Sequence, residues 1–512
     1  MRPRFRPARE AAVHTRDTVM IPGDGLDRRT KIAGGVVVLG VIMSILDTTI
    51  VNVALESLSR DLQSPLSTIQ WVVTGYLLAL AMVIPLAGWM SERFGSKRVW
   101  MVSVALFAVG SMLCGVAPSD RWLLFFRVLQ GFGGGMILPV SMTVLAQSAG
   151  PRHVGRVMSI IGVPTLLAPV LGPVIGGLIV DSVSWRWIFF VNLPVAALAL
   201  PLAARLLPRD AGRDDAGPLD WRGFALLSPG LALIVFGLSE AETAGGIGSI
   251  TIGPAIAGLL LVGLFAVHAL RAARPLIDVA LFRSRHFAAA SVVTLTTGAS
   301  LFGAMLIIPL YYQVDRGLSA LDAGLLMAPQ GIGAALAMPL AGRLTDRSGG
   351  GRVVLAGTII VTLGTLPFVF VTAGTSHWLL AGALVVRGVG MGASMMPALA
   401  AAYSRLESVQ VPRATSALNA LQRVGGSIGT ALLAVVLQQE VHAAAGAGAN
   451  VFGASAPQGR GAAEPLAGAF GGTFGWAVAI SALAIVPAAL LALSERAGRA
   501  PLGAAAAGAA AG

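Results

Sequence analysis

Long apolar runs, each bounded by a short polar cluster, recur along the whole chain. A bilayer-spanning helix needs about 20 apolar residues. Fourteen runs meet that length: 32–55, 69–90, 99–117, 122–147, 157–180, 187–205, 222–240, 251–270, 287–312, 321–342, 353–373, 378–402, 414–437 and 473–493. The pattern predicts an all-α integral membrane protein. Two stretches fall outside it. Residues 438–472 are rich in Gly and Ala and read as a mobile loop, and the end of the chain, 494–512, reads as a disordered tail.

Composition narrows the class. Of 512 residues, 55% are hydrophobic and 12% are charged, against about 25% charged in an average soluble domain. A large soluble enzyme is excluded on that count, because so much apolar surface would aggregate in water. The 64 glycines and 28 prolines sit largely inside apolar runs, where membrane helices tolerate them. Net charge is +12, and its placement is informative. With a cytoplasmic N-terminus, 28 of the 36 Lys and Arg fall in cytoplasmic segments, five outside (Arg60, Arg121, Arg186, Arg316 and Arg460) and three within spans. That bias predicts both termini in the cytoplasm. The basic N-terminal stretch meets no apolar run until about residue 32, and that run is too long for a signal peptide. The expected organisation is a cytoplasmic segment (1–31), a first bundle (32–205), two linker helices with flanking loops (206–286), a second bundle (287–493) that includes the 438–472 loop, and the tail (494–512).

An internal repeat supports two bundles. PLAGWMSERFGSKRVW (85–100) and PLAGRLTDRSGGGRVVL (339–355) share Pro-Leu-Ala-Gly, an acid four residues after that glycine, then Arg and Gly. Gly88 and Gly342 are 254 positions apart. Arg127 opens RVLQGFGGGMILP and Arg387 opens RGVGMGASMMP, 260 apart. On this reading Arg387 takes the place of Arg127 in the second half. Parallel six-helix repeats around a central cavity are a secondary-transporter architecture.

Five segments resemble, in order, the motifs of the major facilitator superfamily, and more narrowly of its fourteen-helix drug:proton antiporters, the EmrB/QacA group. They are LDTTIVNVAL (46–55), GWMSERFGSKR (88–98), RVLQGFGGG (127–135), GVPTLLAPVLGPVIGG (162–177) and WRWIFFVNLP (185–194). Glu56 replaces a proline of the first motif, and Glu92 and Ser96 replace the usual Asp and basic residue of the second. The resemblance implies the major facilitator fold, two six-helix bundles plus two extra central helices. It also implies a proton-coupled antiporter exporting hydrophobic or cationic drugs and antibiotics by alternating access. Such a carrier is driven by the proton gradient without a cofactor, works as a monomer in the bacterial cytoplasmic membrane, and is not an enzyme. The alternatives are an exporter dedicated to one natural product of its producer, an uptake carrier and a non-transporting sensor.

Individual residues carry the expected chemistry. Asp47 is the one acid placed deep within a span, where a charge costs roughly 2.5–3.5 kcal/mol on insertion scales. Burial and nearby cations move a carboxylate's proton affinity in opposite directions, so such a residue suits proton exchange; the plainer reading is an Asp paired with Thr48 or Asn52. Thr48 and Asn52 are candidate hydrogen-bond donors to it. Arg127, with Gln130 one turn away, is expected at the proton-coupling site, the alternative being snorkelling to the interface. Arg387 and Arg423 are further cavity candidates. A gating loop is expected from Gly88, Glu92, Arg93, Gly95, Lys97 and Arg98, with Gly342, Asp346 and Arg347 as its second-half equivalent. There Glu92 would bridge to a basic residue of a neighbouring helix. The resemblance assigns an antiport role to Gly162, Pro164, Gly172, Pro173, Gly176 and Gly177, as a closely packed, bent helix or as a merely tight one.

Other chemistries lack their residues. Neither Lys31 nor Lys97 follows a glycine, so there is no GK[ST] phosphate loop. Six scattered histidines have no metal-ligand spacing, and Cys114 stands alone as a buried structural thiol. The basic segments lack the aromatic interleaving of a nucleic-acid surface.

Overall fold

The computed structural model describes residues 27–495 other than 150–152, 209, 211, 214–215, 245–247, 373 and 446–462. Among the described residues, thirteen helices are long and apolar enough to cross a membrane, and α5 (Val154–Ser182) brings the number to fourteen. The first six are α1 (Arg28–Asp61), α2 (Leu66–Phe94), α3 (Ser96–Gly115), α4 (Asp120–Ala149), α5 and α6 (Trp187–Leu206). Two linker helices follow, α7 (Trp221–Ala244) and α8 (Ser249–Arg271). The last six are α9 (Arg285–Asp315), α10 (Ala320–Ser348), α11 (Gly350–Phe370), α12 (His377–Tyr403), α13 (Val411–Ala445) and α14 (Glu464–Glu495). Among the described residues there is no strand.

The helices overrun the apolar runs near the end of the chain. Residues 438–445 extend α13 and 464–472 open α14, so the expected loop is shorter than its composition suggests. Alanine-rich sequence favours helix where a neighbour packs against it. The rest of that loop, 446–462, and the expected segments 1–26 and 496–512 lie outside the described residues.

Within each half, α2 and α3 pack on α4, and α10 and α11 pack on α12. The halves meet through α5 against α10 and α13 against α2. The linker helices differ in depth. α7 wedges between α2 and α13, with Trp71 stacked on Phe236 at 5.6 Å. α8 leans chiefly on α7, where a Cβ on Gly258 would stand 2.6 Å from Gly230 O. It turns Ile256, Leu259, Leu260 and Leu264 outward, an apolar face suited to lipid.

The repeat recurs in the packing and corrects its own register. Gly131 closes on Tyr76 O and Gly388 on Gln330 O. A Cβ on Gly133 would stand 2.8 Å from Ser103 O, and one on Gly390 2.7 Å from Gly357 O. Gly135 faces Leu80 O and Gly392 faces Ala334 O in the same way. These pairs put α4 and α12 in register at 257 positions, not 260. Arg387 therefore stands at the place of Gln130, one turn from where residue-type matching put it, and Leu384 takes the place of Arg127. Contact with Gly110 by Gln130 and with Gly364 by Arg387 repeats the correspondence.

The turns between second and third helices of each half are also duplicated. Gly95 (φ +85°) and Gly349 (φ +93°) are 254 apart and adopt the left-handed backbone that glycine alone accepts cheaply. Each following helix takes as a cap an acid from the end of the sixth helix of its half or just beyond it. Asp210 accepts from Ser96 N and from Lys97 N (3.1 Å), and Glu495 Oε2 accepts from Gly351 N at 3.0 Å.

Candidate transport site

Three elements converge on Asp47. It is 1% exposed, on the face of α1 that turns into the first bundle. Arg127 of α4, also sealed, donates from Nη1 to Asp47 Oδ2 at 2.6 Å and to Gln130 Oε1 at 2.8 Å. Gln130 Nε2 donates to Asp47 Oδ1 at 2.9 Å, and Asn192 Nδ2 of α6 donates to the same oxygen at 3.1 Å. Asn192 also donates to Ser111 Oγ, whose hydroxyl donates to Phe189 O. Arg127 Nε donates to Val72 O, and its guanidinium lies 4.1 Å from the Tyr76 ring centroid. Arg127 Nη2 has no hydrogen-bond partner among the described residues; the Tyr76 ring face is its compensation. A charge pair in a low-dielectric interior persists only with such added hydrogen bonds.

Thr48 and Asn52 do not hold Asp47. The Thr48 hydroxyl donates to Ser44 O, and both side chains line a cavity of about 310 Å³ between the halves. α2 contributes Leu77 and Leu80 to it, and α7 contributes Val235 and Ser239. α9 supplies Phe302 and Met305, and α13 supplies Arg423, Ser427 and Thr430. The helical period separates the roles: Asp47 points inward to its bundle while Thr48 and Asn52 face the cavity. Arg423 is the cavity's one charged residue.

Arg387 lies fully buried in the second bundle. Its Nη1 donates to Gln330 Oε1 and to Met391 Sδ, and its Nη2 donates to Ser300 O at 3.2 Å. No carboxylate pairs with it among the described residues. The cation is held by neutral acceptors, so the two halves are electrostatically unequal.

The loop motif closes one end of the bundle. Arg413 of α13 donates from Nε to both Glu92 oxygens (2.9 and 3.0 Å) and from Nη2 to Glu92 Oε2 at 2.8 Å. Its Nη1 donates to Pro275 O. Gly88 lets α2 approach the Arg413 backbone to 3.0 Å from a notional Cβ. In the second half Gly342 fits against Gly155 O and the Arg156 backbone. Asp346 Oδ1 accepts from Gly155 N at 2.9 Å, with Arg156 Nε 3.3 Å from Oδ2. Arg93 Nη1 reaches Arg213 O, and Lys97 Nζ donates to Ala204 O and Leu207 O at 2.8 and 2.9 Å. Arg98 and Arg347 are exposed. Just outside the membrane-spanning segments, Asp220 accepts from Gly223 N, from His268 Nε2 and from Leu276 N. Burial alone would raise its carboxyl, but these donors together hold it below the usual value.

The α5 motif is a packing surface on two sides. Gly162 fits against Met338 and Met396 of the second half. Gly172 fits against Thr49, and Gly176 against Ile50, both of α1. A Cβ on Gly177 would meet nothing within 4 Å. Pro164 is half-buried within the helix; Pro173 is part of the helix, with its side chain outside the described residues.

Several partners escape a reading of the sequence. Asn192 lies in the WRWIFFVNLP segment, but nothing there marks it as a ligand of Asp47. Arg413 and Arg156 are ordinary loop-proximal arginines until the fold brings them to Glu92 and Asp346.

The profile of the Major Facilitator Superfamily matches residues 37–430 and 290–510. A "Multidrug resistance protein B homolog" of Mycobacterium tuberculosis is 44% identical over 418 residues, covering 81% of this chain and 77% of that protein. The "Multidrug export protein EmrB" of Haemophilus influenzae is 31% identical over 421 residues, covering 80% and 82%. Among solved structures, the proton:xylose symporter XylE superposes with a TM-score of 0.58 at 16% identity, covering 88% of this chain and 94% of that one. The chain belongs to the major facilitator superfamily, and it is similar to relatives named for multidrug resistance and multidrug export.

Proposed function

We propose that this carrier exports hydrophobic small molecules in exchange for protons, by alternating access across a bacterial cytoplasmic membrane. It acts as a monomer with both termini in the cytoplasm, without a cofactor and without a catalytic step. The first bundle (32–205) carries the proton site, the second (287–493) supplies the opposite cavity wall, and the linker (206–286) completes it.

One observation carries this reading. A carboxylate is kept from water beside a buried arginine, within about a turn and a half of two residues of the same helix, Thr48 and Asn52, that line the cavity between the halves. A proton arriving on Asp47 removes its attraction to Arg127, leaving the guanidinium to Gln130, Val72 O and the Tyr76 ring. The pairing network of α1, α4 and α6 then loosens, and α1 carries Thr48 and Asn52 with it. The Glu92–Arg413 and Asp346–Arg156 contacts bias the halves toward the state closed at that end, which the positive-inside pattern assigns to the cytoplasm. A state-dependent pair needs only a few kcal/mol to shift such an equilibrium.

The test is export by the purified chain in proteoliposomes under an imposed pH gradient, with a panel of hydrophobic drugs. Export that collapses with an uncoupler supports the reading. Export indifferent to the uncoupler, or none across the panel, overturns it.

A further inference from the structure

We infer that the central cavity selects amphiphilic anions: a monovalent sulfonate, carboxylate or phenolate on an apolar body. This rests on the reading above that the cavity is the transport site, and it narrows the cargo from hydrophobic molecules in general to one charge class.

The argument is electrostatic. Arg423 is the single charge among the cavity-lining residues, and no acid lines that space. Among the described residues Arg423 has no hydrogen-bond or ion-pair partner. The nearest acid along α1, Asp47, faces away and is consumed by Arg127 at 2.6 Å. The cavity therefore presents an uncompensated guanidinium, which stays charged at any physiological pH. An anion entering it supplies the missing partner through a planar fork matched to two oxygens. A cation would add a second like charge at short range in a medium that screens weakly. The remaining walls suit the rest of such a ligand. Leu80, Val235, Phe302 and Met305 are apolar, while Asn52 and Thr430 offer polar contacts to its edge. About 310 Å³ is at the small end of ligand pockets, enough for a fused-ring body.

The experiment uses three naphthalene probes of nearly equal size. They are 2-naphthalenesulfonate, 2-naphthyltrimethylammonium and neutral naphthalene-2-sulfonamide. The two ions keep a permanent charge, so a pH gradient does not redistribute them. Transport is measured with the full chain in proteoliposomes, and binding with the purified chain. The expected result is at least a tenfold preference for the sulfonate over the ammonium ion in both. Arg423→Gln is expected to reduce that ratio at least tenfold, and Arg423→Lys to retain part of it. Equal handling of the two ions, or a preference untouched in Arg423→Gln, overturns the inference. If the wild-type chain binds the sulfonate selectively but moves none of the probes, the anion site stands and the transport reading falls. If it moves the ammonium ion preferentially, transport stands and the anion site falls.

Discussion

Glu92 and Arg413 are joined by three hydrogen bonds of 2.8–3.0 Å across the seam between the two halves, and both side chains are largely shielded from water. Fully buried pairs cost roughly 3–5 kcal/mol when one partner is removed; this one, at the rim, is expected to cost less. Glu92→Gln should open that end more often. Each 1.4 kcal/mol is tenfold in the equilibrium, so a cysteine placed at Ser427, in a Cys114→Ala background, should react about tenfold faster with an impermeant maleimide added on the Glu92 side. The reversed pair, Glu92→Arg with Arg413→Glu, should recover much of the protection. Unchanged labelling in Glu92→Gln would remove this pair from gating.

Asp47→Asn leaves Arg127 without its counter-charge, so two losses are expected together. Stability should drop by up to about 3–5 kcal/mol, read as a lower melting temperature in detergent. Accumulation driven by a pH gradient should vanish. Adding Arg127→Gln removes the stranded cation and should restore much of the melting temperature, but not the gradient-driven transport. A double variant that regains coupled export would place proton exchange elsewhere.

The α5 glycines allow a controlled comparison within one helix. Any side chain at Gly172 collides with Thr49 of α1, whereas a Cβ on Gly177 meets nothing within 4 Å. Gly172→Leu should block transport while the protein still reaches the membrane, and Gly177→Ala should transport at close to the parent rate. Export rates per mole of purified protein decide the comparison. Equal rates for the two variants would show that the α1–α5 contact tolerates separation.

How much of this was legible beforehand differs residue by residue. Asp47 and Arg127 announced themselves, because a charge deep in an apolar run is expensive enough to need a reason. Their other partner, Asn192, is 145 positions from Asp47 and is a residue type that costs little to bury when bonded. Arg387 was misplaced because like was matched with like. The spaced glycines, Gly131, Gly133 and Gly135 against Gly388, Gly390 and Gly392, carry the true register, since backbone contact fixes them more tightly than a side chain is fixed. The loop motif revealed that Glu92 needed a basic neighbour but not which one, because α2 and α13 are joined only by tertiary packing. Arg423 was visible as a costly arginine. That it faces a cavity devoid of acids depends on which way each helix is rotated, and near-continuous apolar sequence does not specify rotation.

Asp220 ties the start of α7 to α8 and to the following loop through Gly223 N, His268 and Leu276 N. Its carboxyl is held below the usual value in the folded chain, so its contribution is present above the unfolded-state value of about 3.9 and fades as pH falls through the lower folded-state value. Asp220→Ala should therefore lower the melting temperature at pH 7, by the equivalent of about 1–3 kcal/mol for buried donors left without an acceptor. The difference from the parent should shrink as pH is lowered below about 4. A gap that stays constant down to pH 3 would mean that the carboxylate charge is not what Asp220 contributes.

An anionic cargo changes the electrical accounting of exchange. One proton moving in and one monovalent cation moving out carry no net charge, whereas one proton in and one monovalent anion out carry two charges in the same sense. Each charge gains about 2.3 kcal/mol per 100 mV, so export of 2-naphthalenesulfonate should draw on about twice that from the membrane potential alone. In proteoliposomes with no pH gradient, a potassium diffusion potential set by valinomycin, negative on the side from which the probe departs, should drive its movement. Collapsing that potential should remove most of the drive. Transport of the neutral sulfonamide, which moves one charge per cycle, should respond about half as steeply. Equal steepness for the two probes would mean that the sulfonate leaves with its charge already neutralised, and that Arg423 orients the cargo without meeting it as a free anion.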